Sequence, residues 1–310
     1  MSEKKIKYTS IGGQALIEGV MMRGKEDIAI AVRKPDGNIE VKMEKGSPIE
    51  KWKIAKMPIL RGVFNLVASM TVGIKALTYS AEFYAETDEN YEQSKFEKFL
   101  YTKLGKRADD ILMAISILTA FGFALVLFGI VPTFSVGLLK SVITNQILLS
   151  AIEGVVKIGV FIAYIVIISQ MKDIRRVFQY HGAEHKTIHC FEHGEEVTVE
   201  NARKYTTLHP RCGTSFVFLV LMISIILFTF IGWSNLIIRI LTKIVLLPLV
   251  AGLSYEFIKI AGKSQAGWVK MIGAPGLWMQ KLTTREPDDQ QLEVAIAAFK
   301  SVLDRMGSDL

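Results

Sequence analysis

The sequence predicts a mainly α-helical protein that crosses a membrane about four times and carries a small β-hairpin near its N-terminus. Half of the 310 residues are apolar, and they are concentrated in blocks. Residues 111–131 and 214–238 hold no charged side chain over 21 and 25 positions. Either block exceeds the ~20 residues that a helix needs to cross a hydrocarbon core of ~30 Å. A buried core helix is the alternative for each block taken alone.

The first 110 residues predict a cytosolic region with a β-hairpin. Residues 28–32 and 39–43 alternate apolar with other side chains, and Pro35-Asp36-Gly37-Asn38 between them is typical of a turn. The preceding segment IGGQALIEGVMMRG is rich in glycine, which suits tight turns. Glu18 and Arg23 flank the hairpin entry and are weaker site candidates, because charged residues near a turn are commonly only surface groups.

A helix is expected next, over residues 58–86. Only residues 62–74 of it are uncharged, a run of 13 that is short for a span. This pattern favours a helix that lies along the membrane interface without crossing. The polar residues 86–110 then form a connector that we expect to be partly helical.

Four spans are predicted within a membrane domain of residues 111–259. They cover residues 111–131, where Pro132 is expected to end the helix, and residues 145–171, 214–231 and 236–259. A cytosolic loop of residues 172–213 separates the second span from the third. The last region, residues 260–310, is predicted to be a polar cytosolic tail with a helix at 290–306.

The distribution of basic residues predicts which side each loop occupies. Residues 1–110 contain 19 Lys and Arg, and residues 172–213 contain seven. The connection at 132–141 contains only Lys140, and the turn at 232–235 contains none. Positive residues are retained on the cytosolic side of a cell membrane. Both termini and the 172–213 loop are therefore expected in the cytosol.

Charged residues inside the predicted spans form two pairs at helical spacing. Glu153 and Lys157 lie four apart in the second span, and Arg239 and Lys243 lie four apart in the fourth. We expect these side chains to pair across helices. Snorkelling of the long side chains to the lipid interface is the alternative.

The 172–213 loop concentrates the residues that bind metals and move protons. All five histidines and both cysteines of the chain lie between positions 181 and 212. His181 and His185, with Glu184 beside the second, form an H-x-x-E-H pattern. Residues four apart project from one face of a helix, so the two imidazoles can hold one Zn²⁺, and Glu184 can act as the general base. A surface helix with ordinarily hydrogen-bonded histidines is the alternative, and it is the favoured interpretation for His189 and His193.

Three further residues are candidates for completing this site. His209 and Cys212 form an H-x-x-C group that can supply metal ligands, act as a Cys/His nucleophile pair, or simply make the turn before the third span. Glu256 lies in the fourth span, where a carboxylate is costly and commonly functional. We prefer Glu256 narrowly over His209 as the third metal ligand, with an ion pair to a basic residue as its competing role.

Several segments also resemble one known family. GGQALIEGVMMRG, DIRRVFQYHGAEHKT, ENARKY, HPRCGTSF and TTREPDD are similar to the YqhQ family of bacterial multi-pass membrane proteins, which are built on a domain of unknown function. The resemblance covers almost the whole chain. The family is described as predicted metal-dependent enzymes, so it implies a metal at His181 and His185 and no particular substrate.

The leading functional hypothesis is a zinc-dependent hydrolase at the cytosolic membrane surface, acting on a membrane protein or a lipid. A non-enzymatic transporter or assembly factor with a structural metal, or with none, is the alternative, and thiol chemistry at Cys212 is a third. The net charge of +7 suits anionic lipid, and no aromatic-interleaved basic patch indicates nucleic acid. Zinc is the expected cofactor, although another divalent metal accepts similar ligands. The sequence indicates no oligomeric state.

Overall fold

The computed structural model describes residues 9–47, 52, 54–85, 94–105, 107–232, 235–261 and 267–308. The chain divides into two compact units. The first unit contains residues 1–87, 165–224 and 247–310, and the second contains residues 88–164 and 225–246. The segment of residues 172–213, which contains all five histidines and is called the histidine loop below, belongs to the first unit. The charge pairs of the predicted spans belong to the second unit.

A four-stranded antiparallel sheet occupies the N-terminal region, with its strands in sequence order. They are β1 (Gly12–Leu16), β2 (Gly19–Arg23), β3 (Asp27–Arg33) and β4 (Ile39–Lys45). The predicted hairpin is confirmed as β3 and β4, which pair from Asp27↔Lys45 to Arg33↔Ile39. The glycine-rich segment forms a second hairpin, β1–β2, where turns alone were expected.

The two central strands, β2 and β3, are buried on both faces of the sheet. On one face, Leu16, Ile28 and Ile30 pack against a helix that follows the sheet, and on the other, alanines and Val20 pack against helices from the C-terminal half. Because side chains alternate along a strand, β3 contributes isoleucines to one core and alanines to the other. Small side chains on the second face let the C-terminal helices approach the sheet closely.

Helix α1 (Leu60–Ala85) follows the sheet. Its inward face places Val72, Ala76, Tyr79 and Phe83 on the sheet at helical spacing. The Tyr84 hydroxyl donates a hydrogen bond to the carbonyl oxygen of Arg33. By length and mean hydropathy alone, α1 is also apolar enough to cross a membrane.

Four helices in the described residues are long and apolar enough to span a membrane, which agrees with the predicted fold class. Besides α1 they are a continuous helical segment at residues 107–141, α5 (Gln146–Ile168) and α9 (Leu236–Ala261). The predicted third span is α8 (Gly213–Thr229), an apolar helix of 17 residues. The intervening α2 (Lys95–Leu104) lies in the predicted polar connector.

Pro132 does not end the helical segment at residues 107–141, contrary to expectation. Helix α3 (Arg107–Leu125) continues through a π-helical stretch at Val126–Ile130 into α4 (Val131–Gly137) and a 3-10 turn at Leu138–Ser141. Pro132 stands in the first turn of α4, where its missing N–H leaves no helical hydrogen bond unmade. The wider π stretch before it accommodates the ring.

The remaining helices surround the histidines. Helix α6 (Lys172–Glu192) carries three of them, and α7 (Val199–Arg203) follows. Gly194, at φ +70°, lies between the two helices and terminates α6. The C-terminal tail forms α10 (Gly267–Thr283), which was not predicted, and α11 (Asp289–Ser308), which confirms the predicted final helix.

Candidate metal centre

His181 and His185 face each other on α6, with ring centroids 4.4 Å apart. Each ring is oriented by a backbone carbonyl. His181 Nδ1 lies 2.9 Å from the carbonyl oxygen of Thr283, and His185 Nδ1 lies against that of Thr207. A carbonyl only accepts, so each Nδ1 carries the proton and each Nε2 presents its lone pair. This is the outer-shell pattern that accompanies metal-ligating histidines.

Cys212 joins the pair as a third donor. Its Sγ lies 3.1 Å from His181 Nε2, and one ligand atom from each of the three residues lies within 4.8 Å of the others. His185 Nε2 is buried and has no hydrogen-bond partner among the described residues. A buried nitrogen without a partner is costly, which a bound cation would relieve. The two-imidazole, one-thiolate set fits Zn²⁺, since nitrogen and sulfur are the donors that it prefers.

The electrostatics of these donors suit a metal. Burial, followed by the neighbouring His181, lowers the pKa of His185 well below its usual range, so this imidazole stays neutral. Burial raises the pKa of the Cys212 thiol. Without a metal the thiol therefore keeps its proton, and a coordinating cation would displace that proton.

Glu184 lies beside the donors and is 5 % exposed. Burial raises its pKa to about 7; His181 opposes this rise, Cys212 adds to it, and the backbone N–H of Gly13 opposes it. A Cβ at Gly13 would lie 2.9 Å from Glu184 Cδ, so β1 reaches the carboxyl only because position 13 has no side chain. A carboxyl with a pKa near 7 is well matched to a general base.

The loop that carries Cys212 is fixed by Gln280 of α10, a fully buried side chain. Gln280 Oε1 accepts from the His209 N–H at 2.7 Å, and its Nε2 donates to the His209 carbonyl oxygen at 2.8 Å. The same Nε2 lies 3.0 Å from the Ser215 hydroxyl at the start of α8. One side chain of α10 therefore holds the loop at both ends, at His209 and at Ser215.

The segment after α10 crosses α6 in contact with Gly182. A Cβ at Gly182 would lie 2.1 Å from the carbonyl oxygen of Arg285, which is closer than any real contact. The Arg285 N–H donates to the carbonyl oxygen of Phe178 at 2.9 Å. Gly182 therefore allows the close crossing that brings the Thr283 carbonyl to His181.

Lys186 fixes the segment that leads from α7 to Thr207. This lysine is 4 % exposed, and its Nζ donates to the carbonyl oxygens of Arg203 and Tyr205 at 3.1 and 2.7 Å. It also forms an ion pair with Glu286 at 2.8 Å. Because Thr207 follows this clamp by two residues, Lys186 positions the carbonyl that orients His185.

A second cluster contains His189, Glu192 and His209, whose ligand atoms also lie within 4.8 Å of one another. His209 Nδ1 accepts from the Arg211 N–H at 3.3 Å, which assigns the ring proton to Nε2. That Nε2 faces Glu192 Oε2 at 3.6 Å. The geometry is that of a histidine–carboxylate pair and places a proton where a metal ligand needs a lone pair. His209, a sequence candidate for the metal, is thus adjacent to the centre and is not one of its three donors.

Charge balance in this second cluster favours an ionised carboxylate. Burial acts to raise the pKa of Glu192, but His209, the Thr9 N–H and Arg211 outweigh it and lower that pKa. Arg211 Nη2 forms an ion pair with Glu192, and Nη1 donates to the Thr9 carbonyl oxygen. These contacts tie the loop at residues 209–212, called the HPRC loop, to Thr9.

Glu256 is not brought to the histidine pair, in contrast to the preferred third ligand of the sequence analysis. Both carboxylate oxygens engage the Arg61 guanidinium, and one also accepts from the Ile59 N–H at 3.1 Å. This is the competing ion-pair role. Gly252 meets the Ile59 backbone one turn earlier, so the contact joins α9 to the start of α1.

The two N-terminal candidates lie in different surroundings. Glu18, at φ 47°, forms an ion pair with Arg176, and its carboxylate accepts from the Tyr180 hydroxyl at 3.1 Å. It therefore fixes the β1–β2 turn on α6 just before the H-x-x-E-H pattern, which begins at His181. Arg23 Nη1 contacts the Ser69 hydroxyl of α1 at 3.4 Å. Neither residue supplies a donor to the centre.

Sequence reasoning missed Gly13, Gln280 and the carbonyls of Thr207 and Thr283. A signal was present for two of them, because Gly13 lies in GGQALIEG and Thr283 lies in TTREPDD, which were recognisable as motifs although they are far apart in the chain. Backbone carbonyls carry no residue signature, so only the fold reveals their role.

Comparison with known proteins finds relatives without an assigned activity. A family model described as "Protein of unknown function (DUF1385)" matches residues 57–305. The chain is 34 % identical over 312 residues to "Uncharacterized protein YqhQ" of Bacillus subtilis (strain 168), which covers 98 % of this chain and 95 % of that protein. No solved structure matches.

Proposed function

Because this chain belongs to the DUF1385 family, whose description names no activity, we propose its function from the site: a zinc-dependent hydrolase that acts at the cytosolic membrane surface. His181, His185 and Cys212 hold the metal, and Glu184 is the general base. The substrate is a membrane protein or a lipid.

One observation carries the proposal. The Nε2 lone pairs of His181 and His185 point toward the Cys212 thiol, and their Nδ1–H groups donate to fixed backbone carbonyls. Among the described residues, His185 Nε2 is buried without a hydrogen-bond partner. In the described residues no fourth protein ligand joins this group. Three protein ligands with an open position are characteristic of catalytic zinc, whereas structural zinc is closed by four.

The chemistry follows from the positions of the side chains. When bound, zinc supplies Lewis-acid polarisation and activates water. Glu184, held by the Gly13 N–H and buried beside Cys212, receives the proton of the attacking water at its carboxylate and returns it to the leaving group. Burial keeps bulk water from competing for this proton.

Packing within the first unit supports the membrane topology. The sheet, α6 and α11 pack together in one core, so they share one side of a membrane. The chain must then cross an even number of times between the sheet and α6, and again between α6 and α11. Since α1 packs along the sheet, the segments at residues 107–141 and α5 make the first pair of crossings, and α8 and α9 make the second.

This topology retains the four predicted spans and keeps α1 at the interface. Helix α8 rises only about 26 Å at 1.5 Å per residue, slightly less than the hydrocarbon thickness, and the following residues lengthen the crossing. The basic residues of the first 110 positions and of the histidine loop orient this side to the cytosol of a cell membrane. The site precedes α8 directly, so it meets substrates at the membrane surface.

A structural metal in a non-enzymatic transporter or assembly factor is the second candidate. The intramembrane charge pairs favour it, since ionisable residues in spans commonly line pathways. The two candidates differ in what Glu184 does, because a structural site has no use for a base.

Metal content and product formation separate them. Protein purified without a histidine tag is analysed for zinc, and purified membranes incubated with it are searched by mass spectrometry for cleaved lipid or peptide products. We expect His181→Ala and His185→Ala to lose zinc, and Glu184→Gln to keep zinc but form no product. His193→Ala, outside both clusters, is the matched control. Full zinc in His181→Ala would refute the centre, and products from Glu184→Gln would refute the mechanism.

A further inference from the structure

A buried cluster of charges lies in the second unit, within the spans. Glu153 of α5 forms ion pairs with Arg239, at 2.7 Å, and with Lys243, both of α9. Thr133 of α4 completes it, since its hydroxyl lies 2.6 Å from Glu153 Oε1 and 2.8 Å from Lys243 Nζ. The pairing across helices that the sequence predicted is therefore present, and snorkelling is not: Glu153 is 4 % exposed, Arg239 1 % and Lys243 6 %.

The cluster holds more positive than negative charge. Lys157, one turn after Glu153 on α5, is only 7 % exposed, and its Nζ lies 5.0 Å from the centre of the Phe228 ring. The Lys243 ammonium lies 5.7 Å from the centre of the same ring. Among the residues that the structure describes, three cations therefore face one carboxylate, and both oxygens of that carboxylate are already committed to Arg239 and Lys243.

Unbalanced charge in a membrane span is expensive. Insertion of a lysine or arginine at the centre of a span is costly, and such residues are normally paired. Two positive charges in excess demand either loss of a lysine proton or a bound anion. The cation–π contact with Phe228 offsets only a part of this cost.

A cavity next to the cluster is suited to an anion that carries hydrocarbon. It has a volume of about 300 Å³ and is formed by α4, the turn after it and the start of α9. Arg239 and Thr133 of the cluster line it, together with Lys140. The rest of the lining is Phe134, Gly137, Leu138 and Leu236, which is an apolar surface.

We propose that this cavity binds the phosphate group of an anionic amphiphile, which balances the excess charge of Lys157, Arg239 and Lys243. Phosphate fits because it brings one or two negative charges and several acceptor oxygens to a site of two surplus cations. The exposed Phe134 and Leu138 give the attached chain an apolar path toward lipid. Basic pockets between spanning helices recognise lipid headgroups by the same combination.

The experiment measures stabilisation by phosphate ligands. The full-length protein in neutral detergent is titrated with phosphatidylglycerol, with phosphatidylcholine and with inorganic phosphate, and the melting temperature is recorded. We expect phosphatidylglycerol to stabilise the protein and phosphatidylcholine to do so at least tenfold more weakly. Stabilisation by inorganic phosphate as well would identify a free anion as a ligand, and its absence would identify the lipid headgroup; either supports the phosphate site.

Substitutions of two lysines test the charge argument. Lys157→Met removes a surplus cation without touching the partners of Glu153, so it should melt higher in neutral detergent and bind phosphatidylglycerol about tenfold more weakly. Lys140→Gln, at an exposed position that tolerates change, should weaken phosphatidylglycerol without raising the melting temperature. Lys95→Gln on the exposed face of α2 is the matched control. Equal stabilisation by the two lipids, or unchanged affinity in both variants, would overturn the proposal.

Discussion

Replacing Gly182 with alanine should disrupt the metal centre by displacing the segments that orient its two imidazoles. The new Cβ would lie 2.1 Å from the carbonyl oxygen of Arg285 and 3.2 Å from Thr207 Cγ2. To reach van der Waals separation the Arg285 carbonyl must retreat by more than about 1 Å. That segment carries the Thr283 carbonyl, whose bond to His181 Nδ1 is 2.9 Å, and Thr207 carries the carbonyl that orients His185.

Two magnitudes follow for this variant. Overpacking of this kind costs about 1–3 kcal/mol of folding free energy. Loss of the outer-shell partners of a metal-bound imidazole typically weakens metal affinity by about 10–100-fold. Zinc affinity is measured by competition with a chromophoric chelator, and unfolding by thermal melting in detergent.

The control for this experiment is a glycine with space around it. A Cβ at Gly159 or at Gly273 meets nothing within 4 Å, so alanine there should leave zinc affinity unchanged and stabilise the helix by up to about 1 kcal/mol. Wild-type zinc affinity in Gly182→Ala would refute the argument that backbone carbonyls orient the two imidazoles.

Three other predictions concern the base, the relocated carboxylate and the topology. In the metal-free protein, burial raises the pKa of Glu184 to about 7. The unfolded chain therefore loses this proton at a lower pH than the folded protein does, and the free energy of unfolding falls as pH rises from about 4.5 to 7. Glu184→Gln should remove this fall, worth roughly 3 kcal/mol, when melts at pH 5 and pH 8 are compared. Glu256→Ala should leave zinc content unchanged but lower the melting temperature, because Arg61 loses its partner, and zinc loss would show that the carboxylate serves the centre after all. A cysteine at Leu138 should react with a membrane-impermeant thiol reagent added to intact cells, whereas a cysteine at Glu195 should react only after the cells are lysed. Labelling of position 195 in intact cells would contradict the cytosolic placement.

The parts of the fold with a regular side-chain pattern were predictable. Alternation and turn residues predict the β3–β4 hairpin, and spacing on α6 predicts that His181 and His185 face each other. Strands β1 and β2 were missed because their glycines, which indicate turns, here allow close packing of β1 against Glu184. Pro132 was misjudged because local π-helical geometry can absorb a proline.

The third donor illustrates where pattern reasoning stops. Glu256 was preferred because a carboxylate in a span requires an explanation, and Arg61, almost two hundred positions earlier, supplies that explanation. Cys212 was ranked lower, although the same HPRC turn brings its thiol within 3.1 Å of His181 Nε2. Nothing in the local sequence distinguishes these outcomes, because both depend on contacts between distant segments.

The dispersed origin of the centre has a consequence for biosynthesis. Its donors come from positions 181–212, but the carbonyl that orients His181 is at position 283 and the amide that holds the HPRC loop is at position 280. A ribosome must therefore synthesise α8, α9 and α10 before the first histidine can be fixed in place. A chain that stalls before α10 carries all three candidate donors but lacks the carbonyl and the amide that position them.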